Sequence, residues 1–197
     1  MYLTNINSSL LEPKRKNRWV LQFSNIDILD NVGEKLAFAA YSGARPSISY
    51  EETEMHRLNE RFYVAGKPSW ETLSFEFYDY IDSNSASKIL WDWSNSIYNP
   101  LTGAMNSKKS YSSIVTLGLL NPAGGIVESW NLYYAWPQAV NWNDLDASSS
   151  DIVNVSLTLR FDFAIRGTTA NDSAEDSGSG AIPDNSQNSS ITNPNNI

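Results

Sequence analysis

The run over residues 153–163 limits the possible folds more than any other stretch. Val153, Val155, Leu157, Leu159, Phe161 and Phe163 alternate with Asn154, Ser156, Thr158, Arg160 and Asp162. Successive side chains of a strand point to opposite faces, so this alternation predicts a strand with one buried and one wetted face. The polar side is almost free of apolar groups and therefore meets water or a wet cavity.

Other runs supply partners for this strand. Val115, Leu117 and Leu119 alternate with Ile114, Thr116 and Gly118, and the chain then meets Asn121-Pro122-Ala123-Gly124-Gly125. Proline presets one dihedral and glycine tolerates positive φ, so this segment predicts a turn. Residues 126–134 run back to complete a hairpin. Residues 19–23, 36–41 and the alternating Leu73, Phe75 and Phe77 read as further strands. One helix is predicted over residues 85–98. Asp82, Ser83, Asn84 and Ser85 offer N-caps, Ala86, Leu90, Trp93 and Ile97 recur at helical spacing, and Asn99-Pro100 ends it. Residues 101–111, with Lys108 and Lys109, read as a polar loop. The fold class is mainly β: a two-sheet β-sandwich or squashed barrel with one flanking α-helix.

Residues 47–65 break the pattern. Ile48 and Tyr50 start a strand, but Glu51, Glu52 and Glu54 follow, then His56, Arg57, Asn59 and Arg61 before Phe62-Tyr63-Val64-Ala65. This predicts a long, polar, protruding hairpin, followed by a turn at residues 66–69. It has too few apolar groups to be stable alone, so it should fold against a partner.

Composition narrows the function. The chain of 197 residues can bury one sizeable core, and its seven Trp, ten Tyr and seven Phe suit β-structure. There is no apolar run of membrane-spanning length and no signal-peptide core at the start, so assembly in a cytoplasm is expected. Cysteine is absent and His56 is the one histidine, which excludes disulfides, thiolate metal sites and His-rich zinc catalysis. The net charge is −8, and residues 168–197 carry Asp172, Glu175, Asp176 and Asp184 with no Lys or Arg. The rest keeps 18 acidic against 14 basic residues, or −4. Such a body is a poor grip for DNA, although DNA can slide past it.

Chemical motifs are missing. Glu51, Glu52 and Glu54 sit too close along one strand to oppose each other across a scissile bond. Asp144 and Asp146 lack the glycine and closing glutamate of a calcium loop, and a turn-forming role fits them better. The serines at 148–150 have no nucleophile elbow, and Gly124-Gly125 precedes a strand rather than a phosphate-binding helix. Trp130, Trp136 and Trp142 suit core or interface packing better than sugar stacking. No catalytic, cofactor-binding or metal-binding residue is assigned, and no cofactor or enzymatic activity is expected. The basic cluster at residues 14–18 reads as a solvated strand approach or as an inter-subunit ion-pair site for an acidic neighbour.

The spread of motifs from residue 119 onward resembles the tail tube proteins of contractile-tailed bacteriophages. The resemblance rests on Leu119-Leu120-Asn121-Pro122-Ala123-Gly124, then Glu128-Ser129-Trp130-Asn131-Leu132, Trp136-Pro137, Asp144-Leu145-Asp146 and the final alternating strand. The similarity extends upstream through Lys14 to Asp79, so it covers most of residues 14–166. It implies hexameric rings stacked into a tube inside a contractile sheath, a virion location in the phage tail, and a passive conduit for double-stranded DNA during genome ejection. Homo-oligomer, sheath, baseplate and tail-terminator proteins are the implied partners. The hairpin, with Glu51, Glu52, Glu54, His56, Arg57, Asn59 and Arg61, is then the ring-to-ring contact. Asn154, Ser156, Thr158 and Asp162 become lumen candidates, and Arg160 is expected to pair with a carboxylate. Two alternatives stand beside this reading. One is the tube of a phage-derived injection machine, of the pyocin or type VI secretion kind. The other is a monomeric β-sandwich that binds carbohydrate. The division expected is a β domain over residues 1–167 and a Ser/Asn/Asp-rich segment over 168–197. That segment cannot bury enough apolar surface to fold alone and is expected to order only in the assembly, on its outer surface.

Overall fold

Eleven strands and three helices follow one another along a chain whose described residues, in a computed structural model, are 13–24 and 32–167. The first part contains β1 (Trp19–Ser24), α1 (Gly33–Ala39), β2 (Ala40–Gly43), β3 (Ile48–Arg57), β4 (Glu60–Trp70) and β5 (Leu73–Tyr78). The middle contains α2 (Ala86–Ile97), the two-residue strands β6 (Tyr98–Asn99) and β7 (Ala104–Met105), and the single turn α3 (Lys108–Tyr111). Then come β8 (Ser113–Leu120), β9 (Ile126–Asn141), β10 (Asn154–Arg160) and β11 (Phe163–Gly167).

The 16-residue β9 joins two antiparallel layers. Its first half pairs with β8 on one side and β11 on the other, and β1 extends that layer beyond β8. Its second half pairs with β10, which continues through β5 to β2. Tyr134, with φ of 55°, marks the bend between the halves. Opposite it the partner strand breaks at Phe161 and Asp162, where the Asp162 amide donates to the Tyr133 carbonyl. A bent ribbon thus folds one layer over the other, as a two-sheet sandwich requires.

The core follows from the alternation. Leu21 and Phe23, Val115 and Leu117, and Leu132 face inward from one layer, and Leu73, Phe75, Phe77, Val155, Leu157 and Leu159 from the other. Helix α2 closes one side with Ala86, Ile89, Leu90 and Trp93. Its N-cap is Ser85, whose hydroxyl accepts the Lys88 amide at 3.3 Å. Asp79 also accepts from the Ser87 amide at 3.2 Å, satisfying another amide of the first turn.

Several local expectations need correction. Residues 36–41 are not one strand: α1 occupies 33–39, and β2 starts at Ala40. Leu36 and Ala39, three apart, bury on the same side, a spacing that serves a helix as well as a core. The turn expected at residues 66–69 is part of β4, with Pro68 opposite Tyr50 beside a bulge. Proline is tolerated there because the strand belongs to an isolated pair and the ladder is already irregular. Val153 and Phe163 do not share the buried face of β10; they are exposed, and Phe163 belongs to β11. The loop over 101–111 contains β7 and α3. Residues 168–197, with the ordering expected of them, lie outside the described residues.

Candidate assembly surfaces

The first surface is the arm formed by β3 and β4. Every residue of β3 is exposed, and in β4 only Gly66 and Trp70 are even half-buried. Glu51, Glu52, Glu54, His56, Arg57, Asn59 and Arg61 all lie on it, with Leu58 and Asn59 at the tip. The register gives the arm two faces. Glu54 pairs with Tyr63 and His56 with Arg61, which places the charges together: Arg61 Nη1 is 3.2 Å and His56 Nε2 3.9 Å from Glu54 Oε1. Opposite Glu54 on the pleat, Met55 pairs with Phe62 and Thr53 with Val64. Met55, Phe62 and Val64 thus form an apolar stripe about half exposed to water. The sequence reading missed this stripe because the glutamates made the arm look polar throughout; the alternation of Phe62 and Val64 was the available signal.

The second surface is the outer face of the β10 layer. Asn154, Ser156 and Thr158 lie there as half-buried residues, and the register adds Tyr78, Glu76 and Ser74 from β5, and Asn141 and Ala139 from β9. A hydrogen-bonded seam ties this face together. Asn143 Nδ2 donates to Asn154 Oδ1 at 2.8 Å, and Asn154 Nδ2 donates to the Tyr41 hydroxyl at 2.8 Å. Tyr41 in turn stacks on Tyr78, with ring centroids 4.0 Å apart. The expected ion pair of Arg160 and the expected place of Asp162 in the strand's polar row both change here. Arg160 does not pair with a carboxylate: Nη1 donates to the Trp70 carbonyl at 2.9 Å, and no ion pair involves it among the described residues. Asp162 sits past the end of β10 in the strand break and holds Lys108 Nζ at 2.5 Å, so it is separated from the other three candidates. The sequence alternation ran through the bend because bend residues kept the polar–apolar order.

The remaining motif residues shape the scaffold. Asn121 Oδ1 accepts the Gly125 amide at 2.8 Å, and Gly124 has φ of 86°, a conformation that favours glycine. Pro122 lies in this same turn between β8 and β9. Leu132 is fully buried, and Pro137 is buried opposite Leu159, where the register shifts. Asp144, Leu145 and Asp146 are exposed in the β9–β10 loop. Asp146 Oδ1 accepts the Ser148 amide at 2.8 Å, which holds its carboxyl below the usual range. The three tryptophans considered for sugar stacking are engaged separately: Trp130 donates to Glu128, Trp136 meets Tyr111 edge-on, and Trp142 meets Trp91.

Glu128 is the one buried carboxylate among the described residues, with its side chain 5% exposed. It accepts from Lys14 Nζ and, at 2.7 Å, from Trp130 Nε1, and Arg45 Nη1 stands 3.6 Å away. These partners join the N-terminal segment and the base of the arm to the sheet. The Lys14 bond first, then that of Trp130, holds the carboxyl below the ordinary range. Its folded-state pKa is depressed, so its contribution is present above the unfolded pKa and is lost as pH falls through the folded value. Glu128→Gln should cost about 1 kcal/mol at neutral pH, a modest figure because Lys14 is half exposed. The difference from wild type should shrink below about pH 4. Urea denaturation of both proteins across that range checks it; a pH-independent difference would contradict it.

The fold of this chain has counterparts among known proteins. The family model for T4-like virus tail tube protein gp19 matches residues 33–163. No curated protein matches the chain. Among solved structures, the tube-terminating cap of the anti-feeding prophage superimposes with a TM-score of 0.64 at 18% identity, covering 86% of this chain and 100% of that one. The sheath–tube complex of the extracellular contractile injection system PVC gives 0.63 at 21% identity, covering 83% and 98%. The SPP1 tail tube gives 0.52 at 12% identity, covering 80% of each chain. These likenesses establish a shared mainly β fold.

Proposed function

The chain belongs to the T4-like virus tail tube protein family, and from that premise we propose that its copies close into hexameric rings stacked as the inner tube of a contractile tail. The tube is a structural, non-catalytic conduit for double-stranded DNA, assembled in the host cytoplasm with sheath, baseplate and terminator proteins. The observation that carries this reading is the arm, two exposed strands that pair only with each other and, apart from Trp70 at the base, contribute nothing to the buried core. An isolated hairpin is marginal in water, and the half-exposed Met55, Phe62 and Val64 favour burial against another copy.

Two further features support it. Strands β1, β2 and β11 are edges of the seven-stranded assembly, with unpaired backbone groups that ring closure would satisfy. The outer face of the β10 layer carries Asn154, Ser156, Thr158, Ser74 and Asn141 with one carboxylate, Glu76, and one cation, Arg160, a surface without net positive charge that suits a bore phosphates pass without sticking. An injection-machine tube would use the same surfaces for another cargo, and the likeness to the PVC sheath–tube complex keeps that second reading open.

Ser156→Lys tests the assignment of the bore. A ring of added cations facing DNA should turn weak, salt-insensitive binding into binding that falls steeply with salt, roughly one power of salt concentration per phosphate neutralised. Filter binding of short duplexes to assembled tubes measures this. Unchanged binding in tubes of normal length would place β10 away from the bore.

A further inference from the structure

We propose that the basic cavity between the N-terminal segment and the base of the arm is the docking site for the chain's own acidic segment after Gly167. The cavity, about 310 Å³, is walled by Lys14, Arg15, Lys16 and Arg45 over an apolar floor that includes Trp19 and Leu119. Such a concentration of cations is unusual on a chain whose net charge is −8. The nearby carboxylate, Glu128, is already shared by Lys14 and Arg45, which leaves Arg15 and Lys16 as the cations it does not pair. Arg15 and Lys16 are exposed and form no ion pair among the described residues.

The strand register says what is close. Trp19 pairs with Leu119 and Leu119 with Glu128, so these three form one row across β1, β8 and β9. On the far side of β9, Gly167 pairs with Ser129, the neighbour of Glu128. The chain therefore leaves the sheet two strand spacings, about 10 Å, from the Leu119 wall. Residues 168–197 contain four acidic groups and no basic one, and Asp172, Glu175 and Asp176 come first. An extended chain reaches about 15–30 Å over the distance from Gly167 to those three, more than the span requires.

Tethering makes weak pairs sufficient. A single exposed ion pair contributes about 0.2–1 kcal/mol, but a short linker holds its ligand at roughly millimolar effective concentration. The docked segment would lie beside Gly43, Ala44 and Arg45, the residues that lead into the arm at Ile48. It would thereby neutralise the excess positive charge next to the arm's root. Nucleic acid is the rival ligand for the same cations, and an acidic segment tethered at Gly167 competes at far higher local concentration.

Carbodiimide cross-linking of a mixture of isotope-labelled and unlabelled full-length protein tests the proposal. Mass spectrometry should find Lys16 joined to Asp172, Glu175 or Asp176 within like-labelled chains only. The yield should fall about fivefold or more in 0.5 M salt, where the Debye length is about 4 Å. Arg15→Glu, which leaves Lys16 as the reporter, should lower the yield similarly. Truncation after Gly167 should shift the amide resonances of residues 14–19 and 44–45, and high salt should reproduce those shifts in the full chain. Mixed-label cross-links would overturn the proposal in favour of exchange between copies. Identical spectra for full and truncated chains would overturn it outright, as would short-duplex DNA binding at the cavity equally well in both.

Discussion

Replacing residues 52–63 by a two-residue turn should leave a folded subunit that no longer polymerises. No residue of that segment belongs to the buried core, and its two strands pair only with each other. The base of the arm survives the deletion: Trp70 still packs against the core, and the Arg160 guanidinium still has the Trp70 carbonyl. The loss of stability should therefore be small, under about 1 kcal/mol, as for surface changes in general. The loss of assembly should be complete, because the charged cluster of Glu54, His56 and Arg61 goes together with Met55 and Phe62, which leaves Val64 without the rest of its stripe. Thermal unfolding and sedimentation of the same preparation separate the two effects. Tubes of normal length from the shortened protein would show that stacking runs through another surface.

Trp93→Ala should have the largest effect on folding. The side chain is fully buried where α2 meets the sheet, with the Phe23 ring edge-on at 6.0 Å. Its Nε1 donates to the Tyr111 carbonyl at 2.8 Å, which holds α3 to α2. Removing the indole leaves a cavity and an unpaired carbonyl, a cost of about 3–5 kcal/mol. That is a large part of the roughly 5–15 kcal/mol by which a domain is stable. Trp93→Phe keeps most of the volume and loses chiefly the hydrogen bond, so it should cost clearly less. Urea unfolding of both variants measures the difference. Equal losses would mean that the hydrogen bond, rather than the packing, dominates at this position.

What the sequence made legible follows a physical pattern. Strands with one buried face show themselves by alternation, so β5, β8 and β10 were readable from Phe75, Leu117 and Leu157. Helix α2 was readable from its cap at Ser85 and the spacing of Ala86, Leu90 and Trp93. Short apolar runs carry no such information: residues 36–41 fit either a strand or a helix, and packing of Leu36 and Ala39 decided for α1. The second half of β9 was hidden by Trp136-Pro137, because proline usually argues against a strand interior and is accommodated here at a register shift.

The candidate assembly surfaces were legible in part. The arm was visible as a stretch too polar to fold alone. Its apolar stripe was not, because only the register places Met55 beside Phe62. The polar face of β10 was visible along the strand, but its extension to Ser74, Glu76 and Asn141 depends on which strands lie next to it. The partner of Arg160 and the strand-end position of Asp162 were not legible for a common reason: the Trp70 carbonyl and Lys108 come from distant parts of the chain. Contacts of that separation leave no local trace in a sequence.

Electron cryomicroscopy of the purified full-length protein, concentrated until it assembles, tests the tube assignment most directly. The account predicts stacked six-membered rings in which the β3–β4 arm of each subunit touches the next ring. It also predicts that Asn154, Ser156 and Thr158 line a bore without a continuous Lys/Arg surface. A protein that stays monomeric at high concentration, or a tube whose arm points into solvent, would contradict it.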